Sequence, residues 1–202
     1  MSIARKVNSV QRLFFRLEKE IHTFQNTTGL NCIAGCGKCC AKPDIEASPL
    51  EFLPWAFSIF KEGRALEVLK ALTEEKSSMC HLYRPLSLTE QASGSCGDYQ
   101  HRGLICRLFG YGANRDKLGQ MRLITCTLIK NTFSDRYEAT KTAIEKGLYV
   151  PVFTDYYQKL AQIDLKLGSK ILPVNKAMKV ALEEVLYYYA YRPFPKGYKK
   201  VA

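Results

Sequence analysis

Residues 32–40 read CIAGCGKCC, so four of the chain's eight cysteines fall within nine positions. The spacing is C-x3-C-x2-C-C, and short cysteine spacings on a tight turn let thiolates converge on one tetrahedral ion. Gly35 and Gly37 lie between them; glycine lets the backbone curl, and its exposed N–H groups can donate to thiolate sulfur. The directly adjacent Cys39 and Cys40 pose a separate problem. Neighbouring side chains on an extended or turning backbone diverge, so this pair is badly placed to chelate one ion. Three arrangements stay open: one thiolate for each of two centres, one thiolate bridging two ions, or one cysteine outside the centre.

Working outward, four further cysteines stand at Cys80, Cys96, Cys106 and Cys126, each in a different stretch. Eight thiols divide evenly into two four-cysteine sites, which favours the first arrangement. Free cysteine behaves as a small buried hydrophobe, but that does not explain four in nine residues. The candidate metal ligands are therefore Cys32, Cys36, Cys39, Cys40, Cys80, Cys96, Cys106 and Cys126. His81 and His101 adjoin this region and could replace a thiol as ligand; the favoured reading makes them supporting or surface residues. His22 lies off the apolar stripe of the first helix and is expected in solvent.

The chain has 202 residues, 47% of them hydrophobic and 24% charged, which is ordinary for a folded protein and argues against disorder. That length suits one well-buried domain over 1–202, with metal-binding motifs over about 30–130. No apolar run approaches the ~20 residues that span a bilayer, and the N-terminus lacks a secretory pattern. The expected location is the cytoplasm, where thiols stay reduced and eight cysteines favour metal over disulfides. The formal net charge of +11 counts every thiol as neutral. Ionised, metal-bound thiolates lower that sum without making it negative, so an anionic partner such as nucleic acid stays open.

The fold class expected is mainly α, with a cysteine-rich, metal-organised loop region and a short β-hairpin. Val7, Val10, Phe14, Leu17, Ile21 and Phe24 form one apolar helical stripe ended by Gly29. Ser48-Pro49-Leu50-Glu51 has the form of a capping box opening a second helix, which Pro54 is expected to distort. Ala65 to Glu75 reads as a further helix. From Ser77 to Thr127 helical periodicity disappears, and LICRLFGYG (104–112) and MRLITCTLI (121–129) read as strands around a polar turn. Helices return over about 133–192: Asp135 to Lys146, then Pro151 to Gly168, then one opened by Pro173. The tail Pro193–Gly197 is expected to be extended and exposed.

The motifs resemble those of the YkgJ-like cysteine-cluster family, of CxxCxxCC type. CIAGCGKCC carries the resemblance, together with Cys80-His81-Leu82-Tyr83 and CGDYQHRGLICRLFG. Cys96, Tyr99, Arg102, Cys106, Arg107 and Phe109 match that family's C-x-x-Y-x-x-R-P-x-x-C-R-x-aromatic element, and Cys126 fits a downstream cysteine of many members. Gly103 stands where proline is common, and the first gap has three residues where the short description has two. The resemblance implies chelation of zinc or of an iron–sulfur cluster, without a settled reaction. Beside an anionic tetrathiolate, Arg102 and Arg107 would donate to sulfur and offset charge; the competing reading pairs them with Asp98 or Asp116.

Two other function classes are weighed. A similar cysteine cluster occurs in proteins described as lysine methylases, and Cys32, Cys36 and Cys39 reproduce the C-x3-C-x2-C spacing of radical-SAM enzymes. Lys38 stands where those carry an aromatic, and the chain is too short for their customary barrel. A zinc-organised nucleic-acid module is the third class. It rests on net charge and on Tyr187, Tyr188, Tyr189 and Tyr191, which could stack on bases but on a helix more often anchor packing.

Overall fold

The computed structural model describes residues 1–33, 36–86 and 94–199; Gly35, read above as part of the knuckle's curl, lies outside them. Helix α1 (Ile3–Thr28) starts at Ser2, whose hydroxyl accepts the Arg5 N–H, and stops at Gly29 with φ of 67°. All six residues of its predicted stripe are buried. A four-residue turn of helix, α2 (Lys38–Ala41), carries Cys39 and Cys40, and β1 (Glu46–Ala47) follows.

The Ser48–Glu51 capping box forms as predicted, but it opens a 3-10 turn (Pro49–Phe52) rather than an α-helix. The α-helix α3 (Leu53–Lys61) begins behind it with Pro54 in its first turn, where a missing N–H leaves no intrahelical bond unmade. Helix α4 (Ala65–Glu74) packs against α3 and against the last helix of the chain. The cysteine-rich middle then contains the antiparallel pair β2 (Tyr83–Pro85) and β3 (Gly94–Cys96).

Residues 104–132 contain the expected short hairpin, but its strands are shorter than the segments quoted for them. It is confined to β4 (Gly112–Arg115) and β5 (Met121–Ile124), with Ala113 opposite Leu123. The outer ends are helical: α5 (Leu104–Leu108) and α6 (Thr127–Thr132). Each is started by a side chain whose role the local pattern does not reveal. Glu51, distant in sequence, accepts the Ile105 N–H at 2.9 Å, and the Cys126 sulfur accepts the Ile129 N–H at 3.4 Å.

Helix α7 (Ser134–Glu145) matches its prediction and ends before Gly147, whose φ is 100°. The helix expected over 151–168 is divided into α8 (Phe153–Ala161) and α9 (Leu165–Gly168). Asp164 makes the break by capping α9, accepting from Leu167 N–H while pairing with Lys6 of α1 at 2.6 Å. Strand β6 (Leu172–Pro173) pairs with β1, and α10 (Val174–Tyr189) completes the fold.

Two apolar clusters result. The larger joins α1, α3, α4, α8 and α10 around Leu17, Leu53, Trp55, Tyr156 and Leu182. The smaller gathers Phe24 and Leu30 with Ala113, Leu123, Ile129, Ile144 and Val150. Helix α1 contributes to both, and the cysteine-rich segments stand between them. Cys80 and Cys96 pack on the larger cluster and Cys126 on the smaller.

The tail is exposed but not simply extended. Phe194 and Tyr198 stack at 4.3 Å between ring centres and cover Phe60, and Lys199 N–H donates to the Lys61 carbonyl. Tyr189 is buried against Phe60, while Tyr187 and Tyr191 stand in solvent. Among the described residues, no helix is long and apolar enough to cross a membrane.

Leu53 is fully buried in the larger cluster, whereas Leu66 on α4 is 71% exposed. Leu53→Ala is expected to cost about 2–5 kcal/mol by losing transfer energy and leaving a cavity. Leu66→Ala should stay within about 0.5 kcal/mol. Urea unfolding of the two variants tests this placement of the core.

Candidate metal centre

The knuckle closes through backbone contact. Gly37, with φ of 59°, precedes Lys38 and lies so close to Gly94 that a Cβ on Gly37 would fall 2.7 Å from that residue's carbonyl carbon. Two glycines in contact therefore seat the knuckle on the β2–β3 hairpin, and only residues without a Cβ allow so close an approach. The Cys80 N–H donates to the Cys40 carbonyl at 3.3 Å, which ties a second cysteine segment to the first. At the other end of the knuckle, Cys32 N–H donates to the Tyr111 hydroxyl at 2.7 Å.

Glu51 positions a third segment. It is fully buried, accepts Ser48 N–H at 2.7 Å through one oxygen and Ile105 N–H at 2.9 Å through the other. Tyr157 also bonds to it. One carboxylate thus caps both the 3-10 turn and α5, and α5 carries Cys106. A Cβ at Gly103 would stand 2.8 Å from Glu51 Oε2. The departure from the family-like proline at 103 leaves that space to the carboxylate, whose bonds fix the turn instead.

Arg107 and Arg102 resolve differently. Arg107 is buried; it donates to Glu18 of α1 and to the Arg102 and Gln100 carbonyls, and it lies over the Phe14 ring. Its carboxylate partner is Glu18, whereas Asp98 bonds His101 and Asp116 bonds Arg122. Arg107 is a clamp holding α5 on α1. Arg102 stacks on Tyr99 at 3.9 Å and also reaches Glu18, with Nη2 3.9 Å from a carboxylate oxygen, while its buried Nε has no hydrogen-bond partner among the described residues. Its charge favours the ionised thiols of Cys39 and Cys96.

The thiols of the cysteine-rich segments act on one another through charge. Cys32 is influenced by Cys39, Cys36 and Cys126; Cys40 by Cys39, Cys106 and Cys80; Cys106 by Cys80, Cys39 and Cys96. Cys39 acts on all three. On the α2 turn the two adjacent thiols are close enough to act on each other's ionisation. That contact, with backbone N–H groups, lowers the Cys39 pKa, while Cys40 is raised by the same contact and by burial. Burial pushes the thiols of Cys32, Cys80, Cys96 and Cys106 up as well.

Among the described residues, no three His, Cys, Asp or Glu side chains converge closely enough to hold an ion. The thiols are neighbours without being a closed ligand shell. The His101 ring nitrogen Nδ1 faces Asp98 at 2.9 Å, and His22 is exposed. The sequence reading missed Glu18 and Tyr157, and it read Glu51 only as the partner of the Ser48 capping box, with no sign of its second helix.

Residues 31–127 match the CxxCxxCC family, described as "Putative zinc- or iron-chelating domain". Over those residues, somewhat under half of the chain, the protein is similar to that family. No curated protein and no solved structure matches the chain significantly.

Burial raises Glu51 from the ordinary glutamate value of 4.5 to about 7. The folded state therefore keeps a proton that the unfolded chain releases, and its contribution falls as pH rises between 4.5 and about 7. Relative to Glu51→Gln, the wild type should lose stability across that window. Urea midpoints of both proteins on either side of it check this; a gap independent of pH overturns it.

Proposed function

We propose that the chain chelates zinc or iron through its cysteine thiolates, as two four-cysteine positions that meet at the adjacent pair. Cys32, Cys36, Cys39 and Cys126 make one set; Cys40, Cys80, Cys96 and Cys106 make the other. The observation that carries this reading is the grouping of the thiols. Cysteines from five separate stretches act on one another through charge, with Cys39 acting on Cys32, Cys40, Cys80, Cys96 and Cys106. An all-thiolate donor set suits zinc and iron–sulfur centres alike. When bound, such a centre supplies a cross-link between distant segments and, if iron–sulfur, electron exchange.

The protein's own residues fit an anionic centre. Arg102 offers a buried Nε–H, unpartnered among the described residues, beside Cys39 and Cys96, a donor suited to thiolate sulfur. Raised thiol pKa values mean that ionisation needs a compensating cation, which a metal ion provides. The thiols stand close but unclosed, so binding and the last ordering of the loops occur together.

Anaerobic purification with metal analysis and a visible spectrum tests the proposal. Zinc or iron is expected in the wild type, with a brown, air-sensitive colour if the centre is iron–sulfur. Cys39→Ser, at the junction of the two sets, should lower metal content more than Cys126→Ser. Arg102→Ala should weaken metal retention about 10–100-fold against a competing chelator. A metal-free wild type that stays folded under chelator overturns the reading.

A further inference from the structure

One face of the cysteine cluster opens into a cavity of about 420 Å3. Cys39, Cys40, Cys80 and Cys106 line it, and Ile45, Ile105, Phe109, Tyr157, Ile171 and Val174 supply its apolar surface. Its volume lies within the ~300–1,000 Å3 of small-molecule sites, which are largely apolar with few polar groups. The fold builds it from Ile171 and the start of α10 on one side and α5 on the other. The 42–46 loop completes it, held in place where Val174 N–H donates to the Ile45 carbonyl at 2.8 Å.

The chemistry of the lining selects against charge. The charged residues that line it, Lys42, Asp44 and Glu46, are exposed, of both signs and open to solvent screening. None is a buried counter-ion for a charged ligand, and burying an unpaired charge is costly. Thiols are weak hydrogen-bonding groups, and once ionised they repel an anion. Apolar burial is the interaction the walls can offer.

We propose that this cavity binds a small uncharged apolar molecule, of single-ring or short branched-chain size, against the Cys39, Cys40, Cys80 and Cys106 face of the cluster. The inference rests on the chelation reading only for what the ligand meets there; the cavity itself is formed by the fold.

The test uses the purified full chain, with benzyl alcohol as probe and benzoate as its charged counterpart. Isoleucine methyl resonances are followed by NMR, and metal content is measured on the same sample. Saturable shifts centred on Ile45, Ile105 and Ile171 are expected with benzyl alcohol, and benzoate should bind at least tenfold more weakly. Ile171→Arg, at a half-exposed position on the cavity wall, should weaken benzyl alcohol at least tenfold without changing metal content. Ile171→Trp, which narrows the cavity and adds no charge, should weaken it similarly. Absence of saturable shifts, equal binding of benzoate, or undiminished binding by both variants overturns the proposal. Binding by a protein that carries no metal would uphold the cavity while removing the chelation reading.

Discussion

The cysteine cluster depends on a carboxylate that is not among the proposed ligands. Glu51 is fully buried, and each of its oxygens receives a backbone N–H from a different segment. A helix start leaves N–H groups without intrahelical partners, and burying them unpaired is expensive. By meeting that need for the 3-10 turn and for α5 at once, Glu51 makes the two starts mutually dependent. Arg107 adds a second tie, holding α5 to Glu18 on α1. Cys106 is thereby referred to the hydrophobic core through two independent contacts, although its own helix has five residues and too little length to stand alone.

The same logic explains what the sequence made legible. The α1 stripe, its glycine stop, the Ser48 capping box and the inner face of α10 follow from local patterns with a fixed period. Each was readable because its cause lies within one or two turns of the residue concerned. The helices α5 and α6 were not, because their starting partners are a glutamate 54 positions away and a cysteine sulfur. Asp164 divided a helix for a similar reason, since its partner Lys6 is at the opposite end of the chain. The eight thiols were visible as a set; which of them act on one another is a property of tertiary contacts such as Gly37 on Gly94.

Arg102 and Arg107 show how one motif can contain two physical roles. Both are guanidinium groups five residues apart, and both looked suited to an anionic centre. Arg107 has its donors committed to Glu18 and two carbonyls, so it acts on geometry. Arg102 shares Glu18 at 3.9 Å but keeps a buried Nε without a partner among the described residues, and its charge favours ionised Cys39 and Cys96. The difference is set by the direction each side chain takes from the Gly103 turn, which a one-dimensional spacing does not encode.

These contacts make chelation and folding parts of one balance. The cysteine segments lie at the seam between two apolar clusters, where regular secondary structure is short and little hydrophobic burial is available to hold the chain. Burial raises most of the thiols, so without a cation they are favoured as neutral groups that contribute modest packing. A bound ion changes that sign: it stabilises the thiolates and draws together segments from both sides of the seam. The adjacent cysteines on α2 act on one another, lowering the Cys39 thiol and raising that of Cys40, and the proposed thiol sets would meet there. If the two proposed positions meet at this pair, filling one would alter the charge that the other presents.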